Sequence, residues 1–125
     1  MTANFYAAWI GIALGFISGA IIGLFFYKDQ WMGGYNSWQR RLVRLGHISF
    51  FGIAFINFMY VISNSYLKIE EQFPIISILL IIASITMPLV CFLSAYKMNF
   101  RQLFFIPATS LITGSLLYIY EILFY

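Results

Sequence analysis

Residues 5–27 read FYAAWIGIALGFISGAIIGLFFY, and glycine recurs in them at 11, 15, 19 and 23. On a helix of 3.6 residues per turn a spacing of four advances each glycine by about 40°, so the four trace one slowly turning groove with no side chains in it. In water each interior glycine would cost about 1 kcal/mol relative to alanine. In a bilayer the backbone N–H and C=O groups have no water to bind, so the segment is held helical in spite of its glycines. Such a stripe, a glycine zipper, lets a neighbouring backbone approach closely, which is the source of packing energy where lipid offers no hydrophobic contrast. Gly11, Gly15, Gly19 and Gly23 are therefore helix-packing candidates, the partner helix coming from the same chain or from a second copy. Ala8 and Ser18 lie near the stripe, while Phe16, Leu24 and Phe25 are placed towards lipid.

Outward from this stretch the composition is of one kind. Of 125 residues 62% are hydrophobic and 9% charged, against the roughly 25% charged of soluble domains, so an integral membrane protein is expected. Four apolar runs stand out, Phe5–Tyr27, Leu45–Ile62, Phe73–Tyr96 and Leu103–Phe124. Each has the roughly 18 to 25 residues that cross about 30 Å of hydrocarbon as a helix. Four strands would be too few for a closed barrel, and an open sheet cannot span lipid. The predicted fold is all-α, a four-helix transmembrane bundle forming a single domain over 1–125, with helices at about 5–27, 37–66, 73–96 and 102–124.

Charge sets the topology. Lys28, Arg40, Arg41 and Arg44 lie between the first two helices and Lys97 and Arg101 between the last two, leaving only Lys68, beside Glu70 and Glu71, at the other end. The positive-inside rule makes the six-residue side cytoplasmic and places both termini on the non-cytoplasmic side, as in a bacterial inner membrane. Aromatics suit the two interfaces: Tyr6, Trp9, Tyr66, Tyr118, Tyr120 and Tyr125 outside, and Trp31, Tyr35, Trp38 and Tyr96 inside. The net charge of +3 reads as topology and attraction to lipid, not nucleic-acid binding. No cleaved signal peptide is expected, because Met1–Trp9 carries no basic residue and the following apolar stretch is too long for a signal core.

Local signals refine the helices. Gly33-Gly34 marks a turn, Asn36 or Ser37 can cap the helix that follows, and Pro74 suits a first turn. Pro88 and Pro107 fall inside spans, where each is expected to remove a backbone hydrogen bond and bend its helix. Arginines at the start of the second helix oppose its dipole, and anionic lipid phosphates are their expected partners.

Helix two carries the chemistry-bearing group. Arg40, Arg44 and His47 fall at i, i+4 and i+7 on one face, and His47 is the only histidine. An ionisable group at that depth is a functional candidate. One reading makes His47 the axial ligand of a haem b iron, its only metal role, with Arg44 or Arg40 at the propionates and Gly15, Gly19 or Gly46 giving the macrocycle room. The simpler reading is an interfacial histidine bonded to a serine or carbonyl of a neighbour. Deeper in the bilayer, Asn57 needs a partner, and Ser84 and Thr113 are among the hydroxyls that can supply one. Glu121, with Tyr118 and Tyr125, is the only acid within a span; near the outer end, it is expected to be solvated rather than to hold a cation or a partner loop. Cys91, the single cysteine, lies in an apolar run and reads as a small packing residue; no cysteine–histidine cluster suggests zinc or iron–sulfur ligation. A chain built in this way is expected to work by packing, as an accessory or structural subunit in a homo-oligomer or beside other membrane subunits and lipids. A haem b cytochrome for electron transfer comes second, and a small channel or carrier third.

Overall fold

The computed structural model describes residues 1–69 and 74–124. They form four helices, α1 (Thr2–Phe25), α2 (Trp38–Leu67), α3 (Pro74–Tyr96) and α4 (Phe105–Phe124). Each is long and apolar enough to cross a membrane, α4 together with the stretch before it. The fold is an all-α four-helix bundle of a membrane protein. The expected first residue of the third helix, Phe73, the acidic pair Glu70 and Glu71, and Tyr125 lie outside the described residues.

The helices are not packed as a closed square. α1 lies along α2 and touches α3 only in part, α4 lies along α3, and α2 and α3 form the central pair. α1 and α4 consequently keep the smallest share of their residues buried and present the most surface to lipid. Phe16, Leu24 and Phe25 are exposed on α1, as expected.

The turn between α1 and α2 is built from left-handed backbone. Met32 has φ 51°, Gly33 φ 81° and Gly34 φ 95°, and glycine adopts such angles at no steric cost. Ser37 then caps α2, its Oγ accepting from Arg40 N at 3.2 Å while donating to Met32 O at 2.6 Å. At the other end α2 stops on Lys68 at φ 57°, where Ile69 N donates to Asn64 O at 3.0 Å.

The α3–α4 connection corrects an expectation. In place of a short loop leading to a helix from 102, a 3-10 stretch runs over Met98–Phe104 and α4 begins at Phe105. Pro107 is therefore in the first turn of α4, where helical N–H groups lack intrahelical partners and proline is tolerated. Only Pro88 is an interior proline, buried in α3. On α4 the buried face is Pro107, Ser110, Gly114 and Glu121. A Cβ at Gly114 would stand 3.4 Å from Leu79 and Leu80, which places this face against α3.

Candidate functional site

The glycine groove is filled from within the chain. A Cβ at Gly11 would stand 3.0 Å from Ala54 Cβ and 3.2 Å from Phe50 O, one at Gly15 2.6 Å from the Phe51 ring, and one at Gly19 2.6 Å from His47 Cε1. Gly23 has nothing within 4 Å and is exposed. Three glycines thus seat side chains or backbone of α2, and the fourth has turned off the face.

His47 lies half-buried in this seam. Its Nδ1 is 3.1 Å from Ser18 Oγ, and Ser18 Oγ donates to Gly15 O at 3.0 Å. A hydroxyl has one proton, so with that proton on Gly15 O the imidazole Nδ1–H is the donor to Ser18. The ring also meets Phe51 edge to face at 5.4 Å.

Arg40 is 2% exposed. Its Nε donates to Trp31 O at 2.6 Å, and its terminal nitrogen reaches Lys28 O and, at 3.4 Å, Asp29 O. The guanidinium also lies over the rings of Trp31 and Phe26, 5.4 and 5.7 Å from their centroids. A cation just beyond the end of α1 complements that helix's dipole. The expectation of lipid phosphate as its partner is corrected: two nitrogens of the planar guanidinium donate to three carbonyls of the turn, so Arg40 ties the α1–α2 turn to α2. Arg44 turns away towards Tyr35, its guanidinium 4.9 Å from that ring and 3.4 Å from Tyr35 O.

A haem does not fit these residues. The imidazole edge carrying Nδ1 and Nε2 is pressed against α1, with Nε2 3.2 Å from the Cβ position of Gly19. The three glycines expected to make room are occupied, Gly15 by Phe51, Gly19 by His47 itself and Gly46 by Phe92 and Cys91. Arg40, expected at a propionate, is committed to loop carbonyls.

Deeper in the bundle, three helices meet at a polar cluster. Asn4 and Asn57 are both 0% exposed. Asn4 Nδ2 donates to Asn57 Oδ1 at 2.8 Å and to Ser77 O at 3.3 Å, and Ser77 Oγ donates to Asn4 Oδ1. Asn57 Nδ2 donates to Ser84 Oγ and to Ile53 O, both at 2.9 Å, and Ser84 Oγ donates to Leu80 O at 2.9 Å. One residue of α1, one of α2 and two of α3 are joined with every side-chain amide atom used. Each such bond across helices in a membrane is worth about 0.6 kcal/mol on average and up to about 1.7. Thr113, another expected polar candidate, is exposed on α4.

Beside the cluster α1 and α3 diverge. Between them lies an apolar cleft of about 690 Å³ with Ala3, Ala7 and Gly11 on the α1 wall, Ile81, Ile85 and Leu89 on the α3 wall, and Ser84 of the polar cluster at its edge. It shares Leu14, Phe50 and Phe92 with a second cleft of about 380 Å³ that continues to Trp31 and Met32. The two follow α1 from Ala3 to Ile22, about 28 Å at 1.5 Å per residue, close to the thickness of the hydrocarbon.

Asn4 and the Ala3–Ala7 wall were not singled out from the sequence. The available signal was heptad spacing: Asn4, Ala8, Gly11, Gly15, Ser18 and Ile22 alternate steps of four and three, the seam of two helices packed side by side. Comparison of the chain with known family models, with curated proteins and with solved structures gives no match.

Proposed function

We propose that this protein is an accessory membrane subunit that works by helix packing, its α1–α3 cleft receiving a transmembrane segment of a partner subunit. The cleft is the observation that carries the reading. Together with the second cleft it continues into, it runs nearly the full height of the hydrocarbon. On its α1 wall small residues at i, i+4 and i+8, Ala3, Ala7 and Gly11, alternate with Tyr6, Ile10 and Leu14 opposite long aliphatic residues, Ile81, Ile85 and Leu89, on α3. Small residues on one wall admit a backbone at close range, and aliphatic side chains on the other provide contact area. The polar cluster beside it fixes the angle between the walls, so the surface is preformed. In this reading the end of the bundle that carries the α1–α2 turn, the start of α2 and the α3–α4 connection, with six of the seven basic residues, is on the cytoplasmic side and both termini lie outside.

The haem reading has the packing of His47 against it. For a carrier of an apolar solute the same cleft is the relevant feature, and one experiment separates the two. Extracted from its native membrane into lipid nanodiscs, the protein is expected to run as an assembly of defined stoichiometry, heavier than its own 14.5 kDa. Leu14→Trp, which fills the cleft from the exposed side of α1, is expected to dissociate that assembly with helix content unchanged. A monodisperse single chain carrying a small apolar molecule would replace the subunit reading with the carrier one. An assembly indifferent to Leu14→Trp would remove the cleft from the interface.

A further inference from the structure

Among the described residues four buried side-chain polar atoms have no hydrogen-bond partner: Asn64 Nδ2, Ser94 Oγ and both carboxylate oxygens of Glu121. Three of the four belong to two residues on either side of Tyr118, Asn64 and Glu121. Glu121 is 4% exposed and Asn64 1% exposed, so the expectation of a solvated Glu121 is corrected. Tyr118 lies between them: its Oη donates to Asn64 Oδ1 at 2.8 Å, the Glu121 carboxylate comes one turn further along α4, within electrostatic reach of that phenol, and the Ser63 side chain of α2 reaches the same phenol. Tyr60 meets Tyr118 edge to face at 5.0 Å and closes the apolar side.

A buried carboxylate with nothing donating to it is costly enough that such groups are neutralised, paired or coordinate an ion. No ion pair to Glu121 is present among the described residues. We propose that Asn64, Tyr118 and Glu121 form a binding site for one monovalent metal cation, sodium or potassium, entered from the aqueous phase at the outer end of α4. Oxygen is the donor type hard cations take, and Glu121 brings two oxygens. Exchanging the two atoms of the Asn64 amide preserves its bond to Tyr118, with Nδ2 now donating to Oη, and puts Oδ1 in the position of the orphaned Nδ2. All three orphans then become ligands or bonded donors. The charge decides the valence. One carboxylate neutralises a monovalent ion, whereas a divalent ion would leave a net positive charge buried in the bundle. Bound there, the cation ties α2 to α4, which otherwise packs mainly on α3.

The site is tested by thermal unfolding of the full chain in nanodiscs at constant ionic strength, with sodium or potassium chloride exchanged for N-methylglucamine chloride. A saturable rise of Tm with one of the metal cations is expected. Glu121→Gln, nearly isosteric, is expected to unfold at one temperature in all three salts. Should that variant fail to fold, Asn64→Ala carries the test, with the cation midpoint expected to rise by roughly tenfold for the loss of one charge-assisted contact. Identical Tm values for the unmodified protein in all three salts overturn the proposal, as does a saturable rise that survives in Glu121→Gln or an unchanged midpoint in Asn64→Ala. These readings do not depend on any partner subunit, so they stand or fall apart from the cleft.

Discussion

Gly11→Leu is expected to destabilise the bundle by about 2 to 3 kcal/mol, the upper part of the range for an overpacked interior, whereas Gly23→Leu is expected to be within about 0.5 kcal/mol of the unmodified protein. The two substitutions are chemically identical and lie on the same helix, so intrinsic helix propensity favours leucine equally at both. What differs is the space. At Gly11 the first added carbon already meets Ala54 Cβ at 3.0 Å and the Phe50 carbonyl oxygen at 3.2 Å, and a carbonyl in the middle of α2 cannot swing aside as a side chain can. The remaining leucine atoms force α1 outward and stretch the Asn4–Asn57 bond two turns away. At Gly23 nothing lies within 4 Å, and a leucine there faces lipid. Unfolding followed by helix content as sodium dodecyl sulfate replaces a mild detergent measures both. Equal stability of the two variants would mean that the glycines serve the backbone and not the α1–α2 contact.

Asn57→Leu is expected to lower stability by about 2 to 4 kcal/mol, combining two lost interhelical bonds with the cost of leaving their former partners buried. Asn57 is the hub: it accepts from Asn4 and donates to Ser84, so its removal releases α1 and α3 together. Asn4 would keep only its contacts with Ser77. Thr113→Val is the control, since Thr113 is exposed on α4 and its replacement is expected to stay within about 0.5 kcal/mol. The same titration reads both. An Asn57→Leu protein as stable as Thr113→Val would show the cluster to be dispensable. The loss should also appear as faster amide exchange in the first two turns of α1, because those turns are tied to the bundle through Asn4.

The four helices were legible because length and apolar content alone settle them once lipid is the solvent, and the ends moved by a few residues only. The face of α1 was harder to read. Steps of four residues draw the eye to the glycines, but over Gly11–Gly23 such steps rotate by about 120°, whereas a 4–3 alternation drifts by only about 20° per heptad. The helix follows the second pattern, which keeps Asn4, Ala8 and Ile22 in the seam and carries Gly23 out of it. Asn4 escaped notice because it precedes the apolar run, although α1 starts at Thr2. Arg40 looked like a lipid anchor because its partners are three carbonyls of a turn whose left-handed Met32 no residue type announces. Glu121 looked solvated from its place near a helix end, and only the packing of α4 against its neighbours buries it.

The central claim is that the groove of α1 is occupied by α2 of the same chain. Cysteines introduced together at Gly11 and Ala54 test it directly, because the Cβ positions are 3.0 Å apart and a disulfide needs about 3.8 Å, a shift of less than 1 Å. With Cys91 buried and each single substitution as a control, mild oxidation in the native membrane is expected to give an intramolecular disulfide, seen as a single chain of altered mobility that forms independently of expression level. A covalent dimer containing both of two differently tagged copies, formed in place of that product, would put a second copy in the groove and contradict the account.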